Sequence, residues 1–179
     1  MTKLIHKTGD IFTTTSRAVG HGVNTHGLMG AGIARTFRTR YPKMYEAYHQ
    51  ECLLGKLPGG SVFPWREEYE DGTSFIFNIA SQEKPGSNAS YDHLVSGVKI
   101  ALEWCDTWGV PVLALPRIGS GIGGLDEKVV EAILTALAEK SPVDIELWTY
   151  AAPTMPADGV GWAGTEATPG HPMNITQGR

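Results

Sequence analysis

The sequence predicts an α/β chain folded as a three-layer α/β/α sandwich, with helices on both faces of a mixed central sheet of about six strands. Three observations predict it. Strand-like and helix-like segments alternate along most of the chain, and the regular part closes on strand, helix, strand. The runs SFIFNIAS (74–81) and VPVLALP (110–116) carry the continuous apolar character of strands covered on both faces. The chain has 179 residues, of which 41% are hydrophobic, enough for one sizeable core and therefore one domain.

Residues 3–8 (KLIHKT) read as a short strand stopping at Gly9-Asp10, and 17–24 (RAVGHGVN) as a second whose glycines suit close packing. Ile33, Phe37 and Tyr41 keep helical spacing up to Pro42, which suits the first turn of another helical piece reaching about Leu53. That predicts one broken helix or two. SVFPWRE (61–67) and SFIFNIAS (74–81) read as strands separated by the turn signal Glu70-Asp71-Gly72. Ser90 is placed to cap a helix with Leu94, Val98, Ala101, Leu102 and Cys105 on one stripe. Asp126 is placed to cap another, whose apolar face is Val129, Val130, Ile133, Leu134 and Leu137, before DIELWTY (144–150) forms the last strand. Past Tyr150 the composition turns rich in Gly, Pro, Thr and Ala without periodicity, so residues 1–150 form the domain and 151–179 a mobile or loosely draped tail.

Charge and cysteine content narrow the function. Fifteen Lys and Arg face nineteen Asp and Glu, so neither a basic nucleic-acid surface nor a polybasic membrane patch is announced. Cys52 and Cys105 fall in amphipathic helices without metal-ligand spacing, which suits buried thiols, a reducing compartment and no structural metal. The absence of a leader-like start or of an apolar run of about 20 residues points to a cytoplasmic location and no membrane partner.

In such sheets ligands collect beyond the carboxyl ends of the strands. Two strand-to-helix loops stand out there: NTHGLMGAGIA (24–34) and GSGIGG (119–124). Each bares consecutive amide N–H groups and leads toward a helix N-terminus, where unpaired donors and the helix dipole favour an anion. Together they predict a ligand with two phosphates. GSGIGG matches the dinucleotide pattern GxGxxG, but only one helix and one strand follow it, which argues against a dinucleotide oxidoreductase. Neither loop carries the lysine of GxxxxGK[ST], which argues against a P-loop hydrolase.

Gly9-Asp10-Ile11, Val23-Asn24, Met29-Gly30-Ala31-Gly32-Ile33-Ala34 and Pro116-Arg117-Ile118-Gly119-Ser120-Gly121-Ile122-Gly123-Gly124 stand in an order that resembles the macrodomains, modules that bind ADP-ribose. The resemblance spans about residues 3–150. It looks strongest toward the branch holding the terminal ADP-ribose glycohydrolase and the bacterial antitoxin that removes ADP-ribose from DNA. It implies that Asp10 accepts from the adenine amino group with the Ile11 main chain beside it, and that Asn24 bonds the distal ribose. It further implies that Gly30, Ala31, Gly32 and Ile33 approach the distal ribose and one phosphate, that Ser120, Gly121, Ile122 and Gly123 wrap the diphosphate, and that Tyr150 packs on the adenine.

The chain departs from that branch where cleavage is concerned. Gln82 occupies the place of a lysine in the loop after the NIAS-like strand, and an amide forms no Schiff base. Asp126 stands three positions beyond an aspartate of the branch: a displaced general base, or simply a helix cap. A water held by Asn24, Gln82 and a substrate phosphate offers another route to the anomeric carbon. The resemblance thus implies a hydrolase that removes mono-ADP-ribose from protein Glu or Asp side chains or from DNA bases, with Asn24, Gln82 and Asp126 as catalytic candidates. The alternative is a non-catalytic reader of ADP-ribose. Either way ADP-ribose is ligand or product, no cofactor or metal is expected, the partner is an ADP-ribosylated protein or DNA, and the chain is expected to act as a monomer.

Overall fold

Side chains alternate across a strand, and here both directions are buried: Phe75, Phe77 and Ile79 enter one core layer, Ile76 and Ala80 the other. The structure is a computed structural model that describes residues 3–152. The tail expected over 151–179 lies, from residue 153 onward, outside the described residues.

Among the described residues the strands are β1 (Leu4–Thr8), β2 (Ala18–Val23), β3 (Val62–Tyr69), β4 (Gly72–Ala80), β5 (Val112–Pro116) and β6 (Asp144–Thr149), paired in the order β1-β6-β5-β2-β4-β3. All pairs are parallel except the β3–β4 hairpin, so the sheet is mixed as the sequence predicts. The helices are α1 (Gly32–Arg40), α2 (Pro42–Leu53), α3 (Tyr91–Thr107) and α4 (Glu127–Glu139).

α1 and α2 cover one face, where Phe37, Met44 and Tyr48 meet Val19, Ile76 and Ala114. On the other face, α3 and α4 set Leu94, Val98, Val130 and Leu134 against Phe77, Leu113 and Ile145. Each such side chain taken out of water contributes about 1.5–3 kcal/mol before entropy is charged against it. Val129, expected on the apolar face of α4, is exposed; the other four expected residues pack on the core, Val130 and Leu134 buried and Ile133 and Leu137 partly so, and buried Ala138 joins them. Pro42 disfavours helical geometry at Tyr41, which takes φ −128° and ψ 67°, and two separate helices result. A one-turn 3-10 helix over Ile11–Thr13, capped by the Asp10 carboxylate, is too short to leave a periodic signal.

Parallel pairing sends the carboxyl ends of β1, β2, β4, β5 and β6 to one edge. Both glycine-rich loops, the loop 81–90 and Tyr150 all follow those ends.

Candidate functional site

Two cavities open along that edge. The first, about 480 Å³, is lined by Gly30, Ala31, Gly32, Ile33 and Ala34 of one glycine-rich loop, by Gly119, Gly121, Ile122 and Gly123 of the other, and by Asn24 and Gln82. The second, about 530 Å³, holds Asp10, Ile11, Trp148 and Tyr150. Gly32, Ile33 and Pro116 line both, so the two cavities meet at the start of α1. Ile122 reaches across from the second loop: a Cβ on Gly32 would lie 3.5 Å from its Cδ1. Ile122 is 57% exposed and Leu28 is 48% exposed, so apolar side chains form the lip.

The helix behind the first loop begins uncapped. Ala31, the N-cap of α1, is extended (φ −146°, ψ 166°), no side chain among the described residues bonds the first turn, and no acid stands in it. The first intrahelical bond runs from Arg35 N to Ala31 O, 3.4 Å. The amides of Gly32, Ile33 and Ala34 therefore remain as donors, and all three residues line the first cavity.

The second loop is different, and it corrects part of the sequence reading. Asp126 caps α4 with its own carboxylate, accepting from Lys128 N at 2.8 Å and Val129 N at 3.2 Å. It does not line the cleft, so it is no general base there, and the α4 N-terminus holds no second phosphate because an anion already occupies it. Ser120 does not line the cavity, as Gly121, Ile122 and Gly123 do: its amide N–H, expected to face the diphosphate, donates to Arg117 O at 3.3 Å, and its hydroxyl donates to the same carbonyl at 2.8 Å. Gly123 is buried, and a Cβ there would stand 2.6 Å from Gly119 O and 2.9 Å from Gly119 Cα. Only a hydrogen fits.

Asn24 and Gln82 both reach the first cavity, yet each amide is partly spent on its own loop. Asn24 Oδ1 accepts from His26 N (3.0 Å) and Leu28 N (3.2 Å), while Nδ2 donates to Leu28 O at 2.8 Å, leaving one amide hydrogen for a ligand. Gln82 Nε2 donates to Lys84 O at 2.9 Å, which leaves Oε1 as its acceptor. Main-chain bonds tie the three loops together: Thr25 N donates to Glu83 O (3.1 Å), and Ala89 N donates to Gly123 O (3.1 Å). No Asp, Glu, Lys, His or Cys lines the first cavity among the described residues; its charged members are Arg38, which stacks 4.4 Å from the Tyr45 ring centroid, and Arg117, which is bonded to Glu131 and Thr149.

In the second cavity Asp10 Oδ1 accepts from Phe12 N at 2.9 Å, which leaves its other oxygen available. Tyr150 is 75% exposed and offers its ring to the cavity rather than to the core.

Sequence reasoning missed the supports behind the first loop. Buried Tyr48 donates to Asn24 O at 2.7 Å, and His49 Nδ1 meets Gly27 O at 2.9 Å. Burial pushes the Tyr48 phenol well above its ordinary pKa, so it remains a donor. Below α1, the His21 ring stacks on Phe37 with centroids 3.9 Å apart. Asn78 Nδ2 donates to Phe63 O, which turns Oδ1 toward His21 Nε2 (2.7 Å) and makes that nitrogen the protonated one. Burial lowers the His21 pKa to about 4, against the weaker pull of the Asn78 bond. Burial also raises both thiols, Cys105 to about 12, and Cys105 is the more deeply enclosed of the two.

The sheet and its two loops define an α/β module with a ligand cleft of main-chain donors along the carboxyl edge. The chain belongs to the Macro domain family: the family model matches residues 21–134. It is 27% identical over 158 residues to a DNA ADP-ribosyl glycohydrolase of Mycobacterium tuberculosis, covering 88% of this chain and 45% of that protein. It is 24% identical over 148 residues to the human ADP-ribose glycohydrolase OARD1, covering 82% of this chain and 91% of that protein. The solved macrodomain of Mycobacterium tuberculosis DarG superposes with a TM-score of 0.78 at 26% identity, over 84% of this chain and all of that one. The chain thus spans less than half the length of the mycobacterial glycohydrolase it matches. Among the described residues no helix is long and apolar enough to cross a membrane.

Proposed function

We propose that this chain binds ADP-ribose along the joined cavities and hydrolyses the bond between its distal ribose and a modified protein or DNA. One observation carries the reading: the uncapped start of α1 sits where the two cavities meet, aiming free amides at the place a diphosphate linking adenosine to a second ribose would occupy. Adenine then lies against Ile11 and Tyr150 with Asp10 accepting from its amino group, and the distal ribose lies near Asn24 and Gln82. The names of the mycobacterial and human relatives support hydrolysis as the activity.

Hydrolysis joins a water oxygen to the anomeric carbon as the bond from that carbon to the macromolecule breaks, with the leaving atom taking up a proton. Because the first cavity is lined by no Asp, Glu, Lys, His or Cys among the described residues, the water is held by Gln82 Oε1, the remaining Asn24 N–H and a phosphate oxygen of the substrate. The same lack favours a second reading, a binder without turnover. Single-turnover incubation with ADP-ribosylated protein and with an ADP-ribosylated oligonucleotide separates them: free ADP-ribose from either substrate is expected. Tight ADP-ribose binding with no release from either leaves the binder.

A further inference from the structure

We propose that Tyr48, a residue of α2 that lines neither cavity, is the positioning residue for the ribose end of the cleft, acting through Asn24 and the loop 24–28. The proposal rests on the ADP-ribose reading above and concerns how that site is held.

Tyr48 is fully buried, and its hydroxyl donates to the Asn24 carbonyl at 2.7 Å with Asn24 Oδ1 at 3.2 Å. The single phenol proton goes to the nearer main-chain carbonyl, and the hydroxyl stands beside the amide oxygen of the same cleft residue. A residue further on, His49 Nδ1 stands 2.9 Å from Gly27 O; a carbonyl only accepts, so Nδ1 carries the proton. Gly27 takes φ +78°, and a Cβ there would fall 2.8 Å from His49 Nδ1 and 3.3 Å from Cys52 Cβ. The loop thus lies directly on α2, with no layer between them.

Asn24's own bonds to Leu28 close the loop on its other side. Loop height and the direction of the free Asn24 N–H are consequently set by two side chains that touch no ligand. The adenosine end is built differently, from Asp10, Ile11 and Trp148, and the diphosphate donors belong to α1. Replacing the Tyr48 hydroxyl leaves the Asn24 carbonyl with only the weak donor Cys52 Sγ, 4.0 Å away, so the loop loses its short buried anchor. Only contacts at the ribose end are expected to suffer.

ADP, which lacks the distal ribose, makes this testable. Calorimetric titration of wild type and Tyr48→Phe with ADP-ribose and with ADP is expected to show ADP-ribose affinity falling about five- to ten-fold in the variant, the range of a lost buried hydrogen bond, while ADP affinity stays within about two-fold. Equal losses for both ligands would mark general destabilisation and overturn the proposal, as would no loss at all. In a double-mutant cycle, Tyr48→Phe is expected to add nothing to Asn24→Ala; additive losses would overturn the route through Asn24. Should Tyr48→Phe not fold, His49→Ala tests the same anchorage, with an ADP-ribose-selective loss expected and an equal or absent loss overturning it. Wild type that binds neither nucleotide overturns the ADP-ribose reading and this proposal with it. Wild type that binds both equally overturns this proposal alone.

Discussion

The two glycine-rich loops look alike in sequence and have opposite relations to the helices that follow them. The first runs straight into α1, whose opening turn has no side-chain cap among the described residues and faces the cleft. The second is separated from α4 by Leu125 and Asp126, and the Asp126 carboxylate occupies that helix start. A helix N-terminus attracts an anion only while its donors are free, so the first loop offers a dipole and the second offers shape. Their supports differ as well. α1 rests through Phe37 on the buried polar ring of His21, whereas α4 rests on aliphatic side chains.

That last contrast carries the largest expected effect. His21 has a folded pKa of about 4, below its unfolded value near 6.5, so on acidification the unfolded state takes up the proton first. Stability is then unaffected above about pH 6.5 and falls by about 3 kcal/mol as the pH drops to about 4. Urea titrations across this range are expected to show a shallower acid dependence in His21→Gln than in wild type. Native-state hydrogen exchange is expected to find α1 amides opening before those of α4. Identical acid profiles for the two proteins would remove His21 as the cause.

The loop contrast is broken most directly by giving α1 what α4 has. The extended backbone of Ala31 accepts aspartate without strain, and Ala31→Asp would cap the helix and place a carboxylate where phosphate is proposed to lie. Thermal unfolding is expected to show a gain of about 0.5–1 kcal/mol, while ADP-ribose binding falls about a hundred-fold. A tighter fold with undiminished binding would disconnect α1 from the ligand.

Gly123→Ala asks whether the second loop contributes shape. Its new methyl group would meet the Gly119 main chain, which cannot yield as a side-chain end can, so about a ten-fold loss of ADP-ribose affinity is expected by calorimetry. The smallest effect belongs to Asp126→Ala. Loss of the α4 cap should cost about 1 kcal/mol in chemical denaturation and leave ADP-ribose binding and release unchanged. A collapse of turnover at full binding would return Asp126 to catalysis.

What the sequence disclosed follows from the range of the interactions involved. Strands β4 and β5 were legible because burial on both faces demands unbroken apolar runs, and α3 because its stripe repeats every turn. The glycine loops were legible because a cleft walled by main chain requires residues without side chains. Asp126 stood where a cap and a displaced base both belong, and only the bonds to Lys128 N and Val129 N separate the two. Tyr48 and Asn24 lie 24 residues apart on different elements, and no period links them. The inward turn of the Ser120 hydroxyl was hidden for a related reason: the side chain is polar in either direction, and its local carbonyl decides.

The loop 81–90 joins both glycine loops through main-chain bonds, Thr25 N to Glu83 O and Ala89 N to Gly123 O. The rim of the cleft is therefore a seam of peptide groups bonded to one another. Leu28 and Ile122 project from that seam into solvent, so the lip can change its side chains while the frame beneath it keeps its bonds.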